Sequence, residues 1–422
     1  MSFFEAMILL RNNTHAAVPT DRQVGAANSA HSAPDSVRSG SPLAANAISH
    51  PFPIDNVSLD QFLEQAIARD GEKQNVAELI LAIACGAIEL AGIISLGQIA
   101  GSLHASVVSE SESSRSQTLH KEHRGQQRDG HKNTRRDVPK HLDLLANKIF
   151  QRAISSSTAA AILSEELEHP VDLSPGAPLA VAIDPLDGSS NIESNVSLGT
   201  IFSIFPAAQS VANADNHFLR PGREQLAAGF VIYGPHTSLV LTLGDGVQVF
   251  TLHRSTGVFH LAVPKLNVPH ESHEFAVNSS NYRHWDDSMR AYIDDCLMGA
   301  EGPLCRDQNM RWIASLVAEA YRILVRGGVF LYPADRRQGY GTGWLRLIYE
   351  ANPISFLIEQ AGGKATSCVN RILEIQPKEL HARTPFVFGS HAVVERISRY
   401  HTDPHFSGER FPLFARRGLI RR

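Results

Sequence analysis

Two periodicities divide this chain. Short apolar runs recur at 160–163, 179–183, 199–205, 227–231, 239–243 and 247–252. Their length, and the Gly, Pro and Asp residues around them, predict buried strands. Tyr233-Gly234-Pro235 and Gly244-Asp245-Gly246 supply turns between them. Elsewhere apolar residues fall at helical spacing. Ser58 stands before such a pattern and predicts an N-cap, with helices over 58–69 and 75–96. A third helix follows Asp137 and carries His141, Leu142, Asp143, Leu144, Leu145, Ile149 and Phe150. A fourth is expected over Arg311–Arg326, with Ile313, Leu316, Val317, Ala320 and Leu324 on one face and Gly327-Gly328 closing it. A fifth, 353–360, stops at Gly362-Gly363, and 275–277, 329–332 and 345–350 read as further strands. Interleaved strands and helices predict an α/β fold.

The pattern is missing in three places. The 1–57 extension is rich in Ala, Ser, Asn and Pro and is expected to be disordered. Residues 103–136 mix Ser, Glu, Lys, Arg and His, as a long mobile surface loop would. The 403–422 tail is basic and irregular. The remainder reads as two domains, 58–268 and 269–402, with a hinge near Pro264–Pro269. Leu79–Gly97 is apolar enough to span a membrane, but Glu89 sits at its centre among Gly86, Ala87, Ala91 and Gly92. A buried helix at a packed interface fits better, and no membrane partner is expected.

Bulk chemistry narrows the class. The 422 residues carry a net charge of -4 with pI near 6.6, which argues against nucleic acid as a partner. Cys85, Cys296, Cys305 and Cys368 show no CxxC spacing, and the N-terminus has no basic n-region. A reducing, cytoplasmic compartment follows as the expectation. His270 and His273 are the nearest thing to a histidine ligand pair and read as solvated side chains.

The chemistry concentrates at Asp184-Pro185-Leu186-Asp187-Gly188-Ser189-Ser190-Asn191. A buried strand ends on a carboxylate, Pro185 halts further ladder pairing, and a second carboxylate follows. Such a pair holds hard divalent cations through oxygen. Free N–H groups behind it, at an expected helix start, would cradle a phosphate. A second strand, 160–163, ends in Ser164-Glu165-Glu166. Two acidic strand ends this close suggest one site at the C-terminal edge of a sheet.

Ser164-Glu165-Glu166, Asp184–Asn191, Phe330-Leu331-Tyr332-Pro333 and Leu345-Arg346-Leu347-Ile348-Tyr349-Glu350-Ala351-Asn352-Pro353, in this order, resemble class 1 fructose-1,6-bisphosphatase over about 58–400. The family belongs to the lithium-sensitive sugar and inositol phosphatases. The resemblance implies a layered α-β-α-β-α sugar phosphatase fold, with the active site between two packed domains. It implies Mg²⁺-dependent hydrolysis of D-fructose 1,6-bisphosphate, in gluconeogenesis or the Calvin cycle, with sedoheptulose 1,7-bisphosphate as the alternative substrate. Glu165, Asp184, the Leu186 carbonyl, Asp187 and Glu350 would hold two or more Mg²⁺, for which Mn²⁺ could substitute. Glu166 and Asp143, helped by Asp137, would orient and deprotonate the attacking water. Asp187, Gly188, Ser189 and Ser190 would hold the leaving 1-phosphate. Asn278, Tyr332 and Arg311 would hold the 6-phosphate, Arg311 reaching into a neighbouring subunit of a homotetramer.

Two departures change the picture. The family places Lys or Arg before the Leu345–Glu350 segment; this chain has Trp344 there. Losing such a contact costs about 10²–10³ in rate. Taken as one strand, the segment puts Arg346 on the same face as Trp344, from where it would compensate in part. A weakly active regulatory homologue is the reading in which it does not. AMP-inhibited members carry Thr-Gly-Glu-Leu where this chain has Val76-Ala77-Glu78-Leu79, and Lys-Tyr where it has Pro178-Leu179. The hydroxyl, the close glycine amide and the cation are all missing. AMP titrated into a phosphatase assay should therefore inhibit weakly or not at all; micromolar inhibition would contradict this.

Overall fold

A computed structural model describes residues 57–97, 137–208, 214–403 and 406, the side chains of 137–140 excepted. The expectations for 1–56, for the 103–136 loop and for the tail beyond 406 lie outside the described residues.

Helix α1 (Leu59–Arg69) starts where the sequence predicts. Ser58 Oγ accepts from Gln61 N, and Gln61 Oε1 accepts from Ser58 N, a complete capping box. Helices α2 (Gln74–Ser95) and α3 (Asp137–Ile154) follow. Helix α2 lies within the one stretch among the described residues that is long and apolar enough to cross a membrane; 61% of that apolar window is buried inside the protein. Gly86 lets α2 approach α3, since a Cβ there would stand 2.9 Å from the Phe150 ring.

Eight strands form the larger sheet, in the order β2-β1-β3-β4-β5-β6-β7-β8. They are β1 (Ala159–Ser164), β2 (Val171–Asp172), β3 (Leu179–Asp187), β4 (Leu198–Pro206), β5 (Ala227–Tyr233), β6 (Thr237–Thr242), β7 (Val247–His253) and β8 (Val258–Leu266). Only β1 and β3 run parallel; the other neighbours are antiparallel. A second sheet has the order β10-β9-β11-β15-β13: β9 (Glu274–Val277), β10 (Asn309–Met310), β11 (Val329–Tyr332), β13 (Lys364–Thr366) and β15 (Phe386–Gly389). A ribbon of β12 (Leu345–Arg346) and β14 (Arg383–Thr384) stands apart.

Helices α1–α3 cover one face of the larger sheet. Helices α5 (Leu316–Arg326) and α6 (Asn352–Gln360) pack between the two sheets, and α4 (Asp287–Leu297) and α7 (His391–Thr402) cover the far side of the second. This is the α-β-α-β-α layering that the resemblance implies. One buried cluster joins Ile201, Phe230 and Val249 of the larger sheet to Val317 and Ile354 of the middle helices and Phe330 and Phe388 of the second sheet.

Three expectations are corrected. Pro185 does not end β3: pairing with β4 goes from Asp184↔Ile201 to Asp187↔Gly199, and a bulge absorbs the N–H that proline lacks. Pro264 lies inside β8, where an edge strand tolerates a missing donor. Nor is 264–269 an open hinge, because Leu266 and Val268 are buried and Val268 N donates to Ala361 O at 2.8 Å. The fourth helix begins only at Leu316, where Ser315 is its N-cap and Ala314 sits at φ 62°, a left-handed conformation that breaks any helix from Arg311.

The chain packs tightly on itself at Gly199, beside the acidic strand end. A Cβ there would meet Val317 Cγ1 at 2.4 Å and Val231 O at 2.8 Å. Gly199 is also the register partner of Asp187, and Val317 N donates to Asp187. Gly199→Ala should push α5 away from β4, lowering stability by about 1–3 kcal/mol in urea unfolding and lowering phosphatase activity with it.

Candidate active site

The parallel β1–β3 pair sets the site. Ser164 pairs with Ile183, and Glu165 N donates to Ile183 O at 3.0 Å, so the chain places Glu165 beside the Asp184 end of β3. Asp184 Oδ1 accepts from Leu186 N at 3.1 Å, a short local loop that shapes the bulge around Leu186. Thr200 Oγ1 donates to Pro185 O at 2.9 Å and lies 2.8 Å from the buried Tyr233 hydroxyl. The bulge is thereby pinned from beneath. Gly188 takes φ 78°, and a 3₁₀ helix, Ser189–Ser194, stands at the expected helix start. Asn191 Nδ2 donates to Ala314 O at 2.8 Å and ties this turn to the loop before α5.

Asp187 points at the N-terminus of α5: its Oδ2 accepts from Val317 N at 3.3 Å. The positive helix end favours the charged carboxylate there. Glu350 arrives from a different direction. The expected strand over 345–350 is a two-residue strand followed by a π-helical turn, Leu347–Ala351. The widened turn closes with Asn352 N donating to Leu347 O, just ahead of Pro353, which has no N–H to give. Oxygens of Asp184, Asp187 and Glu350 lie within 4.8 Å of one another.

Burial raises all three carboxyls. Asp184 stands well above the usual range, through burial and then the charges of Asp187, Glu350 and Glu165. Asp187 is pushed up to about 6, burial outweighing its bond from Val317. Glu350 is pushed up to about 8 by burial and by Asp187. Oxygen-only ligands at this spacing fit a small hard dication, which would offset the repulsion.

A second carboxylate group adjoins the first. Asp143, on α3, bonds Ser189 and is raised to about 6, by burial first. Glu166 rises to about 7, through desolvation and then the charges of Asp143 and Glu165. Glu165 is held by Arg346, whose Nε donates to it at 3.0 Å. The same arginine gives its backbone N–H to Glu350 Oε2 and an Nη1 hydrogen bond to His381 O at 3.1 Å. Arg346 therefore joins β1 to the Glu350 turn. Asp137 opens α3, but its side chain lies outside the described residues.

Asn278 follows β9 and Tyr332 is the last residue of its parallel neighbour β11, where Val277 pairs with Leu331. Asn278 Oδ1 accepts from Ser280 N and Oγ, and Tyr332 feels the charge of Glu350. Arg311 is tied elsewhere: Nε donates to Glu274 at 3.0 Å, in a network with Arg322 and Arg326. It follows β10 and does not start a helix.

Trp344 lies outside β12 and does not share a strand face with Arg346. Its ring stacks on Tyr340 at 4.9 Å, and the Arg383 guanidinium sits 4.2 Å above it. Arg337 covers the other end of the stack, 4.1 Å from Tyr340. Sequence reasoning missed this ladder, although the spacing of Tyr340 and Trp344 in a Gly-rich bend was a visible signal. It also missed Glu319, a buried carboxylate that accepts from Ile313 N and Arg322 and fixes the loop carrying Ala314.

Stacked α/β layers that gather carboxylates at strand ends beside a Gly-Ser-Ser turn define a sugar phosphatase. Residues 125–264 match the N-terminal domain of the fructose-1-6-bisphosphatase family and residues 268–402 match its C-terminal domain. The chain is 50% identical to the class 1 fructose-1,6-bisphosphatase of Rhizobium meliloti (strain 1021), over 86% of this chain and 99% of that one. It is 58% identical to that of Sinorhizobium medicae (strain WSM419), over 68% and 83%. The solved holo form of Leishmania major fructose-1,6-bisphosphatase superposes with a TM-score of 0.69 at 29% identity, over 82% of this chain and 98% of that one. This chain belongs to the class 1 fructose-1,6-bisphosphatase family.

The raised carboxyls fix a pH dependence. A carboxyl whose folded pKa exceeds its unfolded value binds its proton more tightly in the folded state. The ion-free protein should therefore lose stability as pH rises from about 4.5 toward 8, the span between the ordinary glutamate value and that of Glu350. A divalent cation needs the ionised forms, so its binding should release protons and tighten over the same span. Thermal melts with and without Mg²⁺ should diverge more at pH 8 than at pH 5.5.

Proposed function

We propose that this chain hydrolyses D-fructose 1,6-bisphosphate to D-fructose 6-phosphate and phosphate, with Mg²⁺ held by Glu165, Asp184, the Leu186 carbonyl, Asp187 and Glu350. The observation that carries the metal assignment is the convergence within 4.8 Å of oxygens from two distant segments, Asp184 and Asp187 on one strand and Glu350 from the later turn. Bound there, the cations supply charge neutralisation at the attacking, transferred and leaving oxygens. The same five ligands would hold two or more per subunit, and Mn²⁺ would satisfy the same oxygens.

The chain's own groups do the rest. Glu166 and Asp143, at about 7 and about 6, take up a proton near neutral pH and so serve as the base that orients and deprotonates water. Asp137 assists from the start of α3. Gly188, Ser189 and Ser190 would present backbone N–H groups, with the Ser190 hydroxyl, to the leaving 1-phosphate beside Asp187, and Arg346 adds a cation. Asn278 and Tyr332 hold the 6-phosphate at the second sheet. Arg311, about half exposed beside Glu274, would serve a neighbouring subunit of a homotetramer.

Asp184→Asn and Glu350→Gln separate stability from function. Each should cut Mg²⁺-dependent phosphate release from fructose 1,6-bisphosphate by about 10³-fold or more. Each also removes one of the repelling charges, so the ion-free variants should melt higher than the parent at pH 8. Phosphate release that persists in both variants would remove this assignment.

A further inference from the structure

A cavity of ≈ 550 Å³ is lined in part by Arg346, the residue whose Nε also holds Glu165. Its volume is that of a small-molecule site. Arg346, Arg383 and Lys378 line it, and so do Glu168, Asp215 and Glu379. None of the six belongs to the metal ligands, the water-activating pair or the 6-phosphate group; Arg346 alone also serves the site already described.

The two arginines are direct cross-strand partners in β12–β14. Like charges placed opposite each other repel. Each is held in place by a separate device: Arg346 by Glu165 and the His381 carbonyl, Arg383 by the Trp344 ring. A pair of fixed guanidiniums facing a cavity, with a lysine beside them, is a receptor for a phosphate dianion. Three carboxylates in the same wall would repel a bare polyanion. They suit hydroxyl donors.

We propose that this cavity binds a phosphorylated polyol: the phosphate on Arg346, Arg383 and Lys378, the hydroxyls on Glu168, Asp215 and Glu379. Arg346 then couples the cavity to the metal site. A phosphate drawing its guanidinium into the cavity frees Glu165 for a cation, so ligand and Mg²⁺ each strengthen the other's binding. This coupling rests on the metal role of Glu165 proposed above, whereas binding to the cavity does not.

Calorimetric titration of the full chain with sorbitol 6-phosphate tests both parts. It should bind one per chain without Mg²⁺, and more tightly with it. Lys378→Ala and Glu379→Gln, both at exposed positions, should each weaken binding about 10-fold. Both should leave kcat/KM for fructose 1,6-bisphosphate within about two-fold, on the scale of ordinary surface substitutions. No binding, or binding that neither variant changes, overturns the site. Binding that both variants weaken but Mg²⁺ leaves unaltered overturns the coupling.

Discussion

The molecule depends on keeping several carboxylates close together in a place where water cannot screen them. Asp184, Asp187 and Glu350 converge within 4.8 Å, and each is raised by burial before any neighbouring charge is counted. Such a cluster cannot hold itself together; something else must pin its members. The pins here are backbone and hydroxyl contacts: Leu186 N on Asp184, Val317 N on Asp187, Arg346 N on Glu350, and Thr200 under Pro185. Most of these donors are backbone N–H groups, which carry no net charge to neutralise the carboxylates. The cluster therefore stays electrostatically unsatisfied, and that imbalance is what gives a dication its binding energy.

The layered fold follows from the need to anchor those pins. Asp184 and Asp187 belong to the larger sheet, Val317 to a helix between the sheets, and Glu350 to the turn that enters the next helix. One continuous core fixes all three, from Ile201 and Phe230 through Val317 and Ile354 to Phe330. Gly199 marks how little clearance remains, since a single methyl group there would intrude on Val317.

Much of this was legible in the sequence. Helix α1 was placed by Ser58, strands β3 to β7 by their apolar runs, and the acidic strand ends by Glu165 and Asp184. What escaped depends on contacts between distant residues. Pro185 reads locally as a strand stop, yet a bulge against Ile201 and Gly199 lets β3 continue to Asp187. Leu345–Glu350 has the composition of a strand, yet its tail is wound into a π turn ahead of Pro353. Arg311 falls in a helical pattern that Ala314 interrupts with a positive φ, a conformation that no periodicity reveals. The carboxylate identities were readable one by one; their mutual distances were not.

Arg346 shows why position along the chain misleads about role. Read as a strand residue, it lies two places from Trp344 and should share its face. In the fold, Trp344 turns away to stack between Tyr340 and Arg383, while Arg346 reaches Glu165 just past β1. The indole thus carries no charge itself but fixes a guanidinium from the neighbouring strand, 4.2 Å over its ring. An aromatic ring binds a cation without neutralising it, unlike the carboxylate that holds Arg346. Of the two arginines paired across β12 and β14, Arg383 therefore keeps its full positive charge available, and Arg346 is the one whose charge is already shared with a metal ligand.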